Sequence, residues 1–302
     1  MTLNPQPLRA EADSPGGAER GEPIELRHQK RLAPLLAASG SAFSEYTFAN
    51  LYLFRHRHRY RFVDGARPFL LGRTYDGETH ALPLRPLDVI AASELLRYAS
   101  CVYPVGEEGP NLALAAGLEC SWNPDDSDYV YDAERLARLD GAKAKRQQAR
   151  RFAEAYDPIW ATIDANNLHL ARAVVDGWFE DAAKAEDDTD LAACLEALDL
   201  QARLGLRGRI VLDRDGVPVA FLLASLGPMG SMIIHFAKGR RSHAGAYPWM
   251  FARVAKERAG GLLNFEQDLG NPRFAQAKRA LNPIGRLAKH RLRLPRWAKA
   301  LD

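Results

Sequence analysis

Glu266 and Asp268 stand two residues apart in Asn264-Phe265-Glu266-Gln267-Asp268-Leu269-Gly270. The apolar Gly261-Leu262-Leu263 runs into this stretch, and Asn271-Pro272 follows it as the opening of a helix. A short strand leading into two carboxylates places acids at a strand's carboxyl end, where clefts in α/β sheets tend to open. On an extended segment, residues two apart point the same way, so both carboxylates are expected to serve one cleft. Once burial raises its pKa, a carboxylate there can take a proton from an attacking amine, which makes Glu266 and Asp268 the candidate catalytic bases. Each also has a structural alternative: Asp268 as the cap of the following helix, Glu266 as an ion-pair partner of Lys278. Lys278 lies two turns into that helix and could neutralise a phosphate or a developing oxyanion.

Other residues qualify as substrate contacts. His235 sits within the apolar Met232-Ile233-Ile234-His235-Phe236, and alternation puts it opposite Ile234. Tyr247 opens the next helix and could donate to a carbonyl. Glu45 and Asn50 fall in an early polar–apolar stretch, either lining a cleft or tying local structure together. Net charge is +3, but the charges are segregated. Arg55-His56-Arg57-His58-Arg59-Tyr60-Arg61, the set Lys143, Lys145, Arg146, Arg150 and Arg151, and a tail from Arg286 to Lys299 are basic, whereas Glu180 to Asp190 is acidic. Segregation of this kind suits an anionic partner such as an RNA or a lipid phosphate. Arg240 and Arg241, in Gly239-Arg240-Arg241-Ser242-His243-Ala244-Gly245, add basic groups at a strand-to-helix turn that could cradle a phosphate.

The elements that must position these residues are short and mixed. Helical patterns are expected over 28–38, 43–55, 86–98, 142–156, 166–185, 191–204 and 245–259, with a further helix capped by Asp132. Strands are expected at 60–63, 68–73, 78–84, 101–105, 129–131, 159–163, 206–212, 217–226, 231–237 and 262–265, with turns at Asp64-Gly65, Asp76-Gly77 and Asp215-Gly216. Asp213-Arg214-Asp215-Gly216 begins like a calcium loop, but without the downstream Glu it reads as a hairpin turn.

At 302 residues, 47% hydrophobic and 26% charged, the composition is that of an ordinary soluble globular protein. No run nears the ~18 apolar residues of a membrane helix. Residues 1–24, rich in Pro, Gly, Glu and Ala at their start, read as a disordered tail. Three scattered cysteines without Cys-x-x-Cys argue against disulfides or a zinc site and fit a reducing cytoplasm. Hydrolase, metalloprotease and Walker signatures are missing. Oligomeric state is not legible.

Four stretches together resemble the soluble family related to the C-terminal catalytic domain of phosphatidylglycerol lysyltransferase, itself similar to the Fem aminoacyltransferases. They are Ser44-Glu45-Tyr46-Thr47-Phe48-Ala49-Asn50-Leu51-Tyr52; Asp128-Tyr129-Val130-Tyr131 with Leu139-Asp140-Gly141, Lys143, Lys145 and Arg146; His235 to Lys238 with Gly245-Ala246-Tyr247; and Asn264 to Gly270 with Ala277-Lys278 and Asn282-Pro283. Phe265, Gln147 and Ala237 depart from the Arg, Asn and Glu usual there. The resemblance implies an α/β fold of mixed sheets with two tandem GNAT-like acyltransferase domains, expected at 25–156 and 157–302. The helix–meander–helix–strand order of the second half fits that plan, and the first half looks like a degenerate copy. The resemblance also implies acyl transfer, chiefly of an aminoacyl group from charged tRNA to an amine or hydroxyl, with no tightly bound cofactor. It does not by itself imply lipid lysylation, and peripheral contact with anionic lipid is an expectation from the basic helix alone. His243 falls where an acyl-CoA-binding loop carries Gly, which leaves aminoacyl-tRNA as the favoured donor. A CoA-dependent N-acyltransferase, or a non-catalytic binding protein retaining the fold, is the alternative.

Overall fold

The structure, a computed structural model, describes residues 20–295 apart from 259. The expected N-terminal tail lies outside the described residues up to 19. Its end does not: β1 (Glu22–Pro23) pairs antiparallel with β2 (Arg61–Val63), and Ile24 is buried.

The first half continues with α1 (Gln29–Ala38), α2 (Phe48–Leu53), α3 (Arg55–His58), β3 (Phe69–Arg73), β4 (Thr79–Pro83), α4 (Val89–Leu95), β5 (Cys101–Val105), α5 (Gly109–Ala116), β6 (Glu119–Trp122), β7 (Asp128–Asp132), α6 (Ala133–Arg138) and α7 (Lys143–Tyr156). The second half contains β8 (Ile159–Thr162), α8 (Leu168–Ala182), α9 (Leu191–Asp199), β9 (Arg207–Leu212), β10 (Pro218–Leu226), β11 (Met232–Gly239), α10 (Ala246–Glu257), β12 (Leu262–Asn264), α11 (Pro272–Arg279), β13 (Gly285–Leu287) and β14 (His290–Arg293). Most of these elements match their expected ranges within a few residues. Val219 to Ser225 is buried on both faces, which is why that run is almost wholly apolar. Asp213 closes the β9–β10 turn, its Oδ1 accepting the amides of Asp215 (3.0 Å) and Val217 (2.8 Å).

Two seven-stranded sheets form, ordered β1-β2-β3-β4-β5-β14-β6 and β8-β9-β10-β11-β12-β7-β13. Strand by strand they repeat one plan. Antiparallel pairing runs through the first four strands, the fourth and fifth are parallel, and the remainder are antiparallel. The duplication expected from element order is therefore present in hydrogen-bond topology. In each sheet the sixth strand comes from the other half: β14 enters the first sheet, and β7 enters the second. The halves 25–156 and 157–302 remain a proposed division, interlocked by this exchange.

Three apolar cores separate the layers. The middle one joins Leu32 and Leu51 of the first half to Val174, Phe221 and Phe236 of the second. Outer cores cover the far face of the second sheet under α6, α7 and α10, and the far face of the first under α4 and α5. No helix among the described residues is long and apolar enough to cross a membrane.

The basic tail expected from Arg286 onward is, through Arg293, two strands, and 296–299 lie outside the described residues. Lys289, fully buried, donates to Glu45 Oε1 (2.7 Å) and Asp128 Oδ1 (2.6 Å). Arg291 reaches Asp76 (2.7 Å) and Asp126 (2.7 Å), and Arg293 reaches Glu78 (2.6 Å). These cations are spent inside the fold. The early basic run is likewise divided up: Arg55 forks onto Glu196 (2.8 and 2.9 Å), and His58 is buried against the Arg73 carbonyl, its pKa lowered to about 4 by burial.

Candidate active site

Parallel pairing between β11 and β12 covers only Met232 with Leu263 and Ile233 with Asn264. Beyond that point the two strands part, and side chains bridge the gap. Asn264 ends the pairing: its Oδ1 accepts the Glu266 amide at 2.7 Å, a turn that Asn side chains favour, and Glu266 takes a left-handed φ of 56°. The extended geometry expected for the acid pair is thereby broken, and the two carboxylates find different partners.

Glu266 Oε1 accepts from Asn50 Nδ2 (2.9 Å) on α2 and meets His235 Nδ1 (2.9 Å) on β11. One carboxylate is thus held from both halves of the chain. Its side chain is 17% exposed, and Oε2 carries no hydrogen bond among the described residues. Asp268, 2% exposed, accepts from the Tyr129 hydroxyl (2.7 Å) and the Gly270 amide (3.0 Å). It borders a surface hollow of about 630 Å³ with Asp125 and Arg279. The helix cap considered for Asp268 is instead Asn271, whose Oδ1 accepts from Arg273 (3.0 Å) and Phe274 (3.4 Å).

His235 owes its orientation to a β-bulge. Leu223 pairs with Phe236 and Ala224 with Ile234, leaving His235 as the extra residue on β11. Ile234 and Phe236 consequently enter opposite cores although they are two apart. Alternation places His235 opposite Ile234, as found, but fails at Phe236; the bulge leaves the imidazole facing Glu266. Its Nε2 lies 2.8 Å from Ser225 Oγ, giving a Ser225–His235–Glu266 relay that the sequence did not disclose. With Nδ1–H facing the carboxylate, Nε2 accepts the Ser225 proton.

Lys278 does not pair with the Glu266 carboxylate but donates to the carbonyls of Glu266 (3.1 Å) and Gln267 (2.6 Å). Burial lowers its pKa to about 8, against the pull of the nearby Glu266, Asp128 and Asp268 carboxylates. Glu45 lies one layer behind. Burial raises it to about 7 despite Lys289. The buried cluster continues from Lys289 to Asp128, whose Oδ2 takes the Ser44 amide (2.8 Å) and Asn264 Nδ2 (2.9 Å). Lys289, Asp128, Ser44 and Asn264 therefore brace the turn that presents Glu266. Asp128, Ser44 and Asn264 lay in the stretches that carried the resemblance, but no sequence signal tied Lys289 to them.

Tyr247 is not part of this cluster. Its ring packs at Gly239 and near Phe251, at the far end of β11, and burial raises its pKa. The basic candidates converge partly. Gly245, φ 99°, lets the β11–α10 turn approach α7 so closely that a Cβ there would stand 2.4 Å from the Gln148 carbonyl. Tyr156 adds a ring contact to His243 (4.6 Å). The turn bearing Arg240 and Arg241 is thus seated against the helix bearing Lys143, Lys145 and Arg146. Lys143, Arg146 and Arg241 are exposed and Lys145 half-buried, whereas Arg240 is tied to Asp181 at 3.4 Å.

Comparison with known proteins identifies the family and the fold. The family profile described as "Phosphatidylglycerol lysyltransferase, C-terminal" matches residues 37–284. A conserved protein of unknown function from Bacteroides thetaiotaomicron VPI-5482 superposes with a TM-score of 0.79 at 22% identity, over 91% of this chain and 99% of that one. The L-PGS of Bacillus licheniformis gives 0.64 at 15%, covering 94% and 97%. FemX gives 0.63 at 8%, covering 90% and 97%. No curated protein matches in sequence. The fold is mixed α/β with tandem GNAT-like units.

Proposed function

The chain belongs to the family of the phosphatidylglycerol lysyltransferase C-terminal domain, and from that premise we propose that it transfers an aminoacyl group from charged tRNA to an amine or hydroxyl acceptor. The family and fold are those of lysyltransferase- and Fem-like acyltransferases; the donor, the acceptor and the residue roles are our reading. The observation that carries it is the Glu266 carboxylate, fixed on one oxygen by Asn50 and His235 from opposite halves and open on the other. Glu266 Oε2 takes the acceptor's proton as it attacks the ester carbonyl, and returns it to the tRNA ribose oxygen that leaves when the ester C–O bond breaks. The imidazole of His235, backed by Ser225, keeps the carboxylate oriented while Oε2 takes the proton. The Lys278 ammonium adds positive charge beside the reacting carbonyl. Lys143, Lys145, Arg146 and Arg241 hold donor phosphates, and exposed cations on the same helix allow peripheral contact with anionic lipid.

The test uses lysyl-tRNA labelled in the amino acid together with vesicles containing phosphatidylglycerol. Protein-dependent transfer of label to lipid is expected; a donor left intact with this and with soluble amine acceptors, alongside saturable thermal protection by acetyl-CoA, would replace the tRNA reading with a CoA-dependent one.

Two further outcomes follow here. Charge reversal of Lys143, Lys145 and Arg146 together should weaken tRNA binding and reduce the slope of log K against log salt by about 2–3, roughly one for each phosphate that is no longer neutralised. An unchanged slope makes that helix a solvated face. The Lys278 ammonium is present below about pH 8 and discharges as pH rises, so kcat/KM should fall above that value. In Lys278→Arg the guanidinium stays charged, and the descending limb should move beyond about pH 10. Superimposable profiles would remove Lys278 from the mechanism.

A further inference from the structure

The internal duplication points to a second hollow in the first half, independent of the Glu266 site and of the proposed transfer. In the second sheet the β11–α10 connection carries Arg240 and Arg241; in the first sheet the equivalent connection, β4 to α4, is Arg85-Pro86-Leu87-Asp88. A cavity of about 530 Å³ opens beside it, within the roughly 300–1,000 Å³ of small-molecule sites. Its floor is apolar. Phe69, Leu84 and Leu95 are buried there, and Tyr98, 41% exposed, stacks on Phe69 with ring centroids 5.3 Å apart at 27°.

The rim is basic, formed by Arg67, Arg85 and Arg97, and the Arg20 guanidinium sits 4.5 Å from the Tyr98 ring centre. Two acids border the hollow, and both are occupied. Glu94 pairs with Arg67 (3.1 Å), and Asp88 caps α4 by accepting the Ala91 amide (2.6 Å). Arg85 and Arg97 are exposed and have no carboxylate partner among the described residues. Two uncommitted guanidiniums above an apolar, partly aromatic floor match a ligand with a phosphate at one end and a flat ring at the other. Guanidinium forks fit phosphate oxygens pairwise, and the ring gains from burial against Phe69 and the leucines.

We infer that this hollow binds a small aromatic phosphate ester of mononucleotide size. The cavity belongs to the half that lacks the Glu266–His235 pair, so such a ligand would act there as a bound effector or cargo and not as the reacting donor.

Calorimetric titration of the full chain with AMP, adenosine and inorganic phosphate at low salt tests it. AMP should bind saturably at one site, with adenosine and phosphate each at least tenfold weaker. Arg85→Glu with Arg97→Glu should weaken AMP at least tenfold, and Arg97→Glu alone should weaken it measurably. Arg273→Glu, an exposed charge reversal elsewhere, and Glu266→Gln should leave AMP binding at the wild-type value. Both rim positions are exposed, so folding is not at stake, and circular dichroism verifies it. Absence of saturable AMP binding, equal binding of phosphate and AMP, indifference to the Arg85 and Arg97 changes, or loss in Glu266→Gln would each overturn the inference.

Discussion

Glu266→Gln is expected to lower turnover by about 10²–10⁴-fold, the usual worth of a positioned general base, while KM for the donor and the unfolding midpoint stay close to wild type. The reason lies in how the carboxylate is held. A glutamine amide oxygen still accepts from Asn50 and His235 in place of Oε1, so the bracing survives. What disappears is the proton-accepting oxygen at the Oε2 position, which becomes an NH₂ donor. Single-turnover loss of labelled aminoacyl group from tRNA measures the chemical step, and thermal unfolding measures the fold. Turnover within threefold of wild type would discard Glu266 as the base. Asp268→Asn is the informative companion. Its oxygens serve Tyr129 and Gly270, so its effect should appear in stability and only weakly in rate.

Lys289→Met should be among the most destabilising single changes in the chain. The fully buried ammonium lies between Glu45 and Asp128, and removing it leaves two buried carboxylates without a counter-charge. Breaking a buried pair in this way costs about 3–5 kcal/mol, a fall in Tm on the order of 10 °C for a protein of this size. Glu45→Gln placed in the Lys289→Met background should cost less than in wild type, because it removes one of the stranded charges; the double-mutant cycle reads that coupling directly. A Lys289→Met protein within about 1 kcal/mol of wild type would mean that water or a rearranged side chain replaces the ammonium. Asp128 also holds Asn264, and Asn264 holds the Glu266 amide, so residual activity in any folded Lys289 variant should fall as well.

Much of this architecture was readable in advance, for physical reasons that can be named. The β9–β10–β11 meander announced itself through apolar runs and the Asp215-Gly216 turn, and α7 through its spacing. Glu266, His235, Asn50 and Lys278 were each visible as residue types in suggestive places. Their mutual geometry was not. His235 sits at a bulge, which local alternation cannot express, and the partition of Glu266 from Asp268 is decided by the Asn264 side chain taking one backbone amide. β13 and β14 were hidden because Arg286, Lys289, Arg291 and Arg293 make a short strand look like a solvated tail. Their charges are balanced by acids far away in the chain, Glu45 lying 244 positions before Lys289. Single-sequence periodicity carries no information about partners at that separation.

The exchange of sixth strands has a consequence for how the molecule comes into being. On the ribosome, β1 to β6 emerge before β14, yet in the finished sheet the gap between β5 and β6 is filled by His290–Arg293. Until then the nascent first sheet carries two open edges, together with the acids that await Lys289 and Arg291. Completion of the first sheet and maturation of the Glu266 turn are therefore one event, which waits for the arrival of Lys289 and β14.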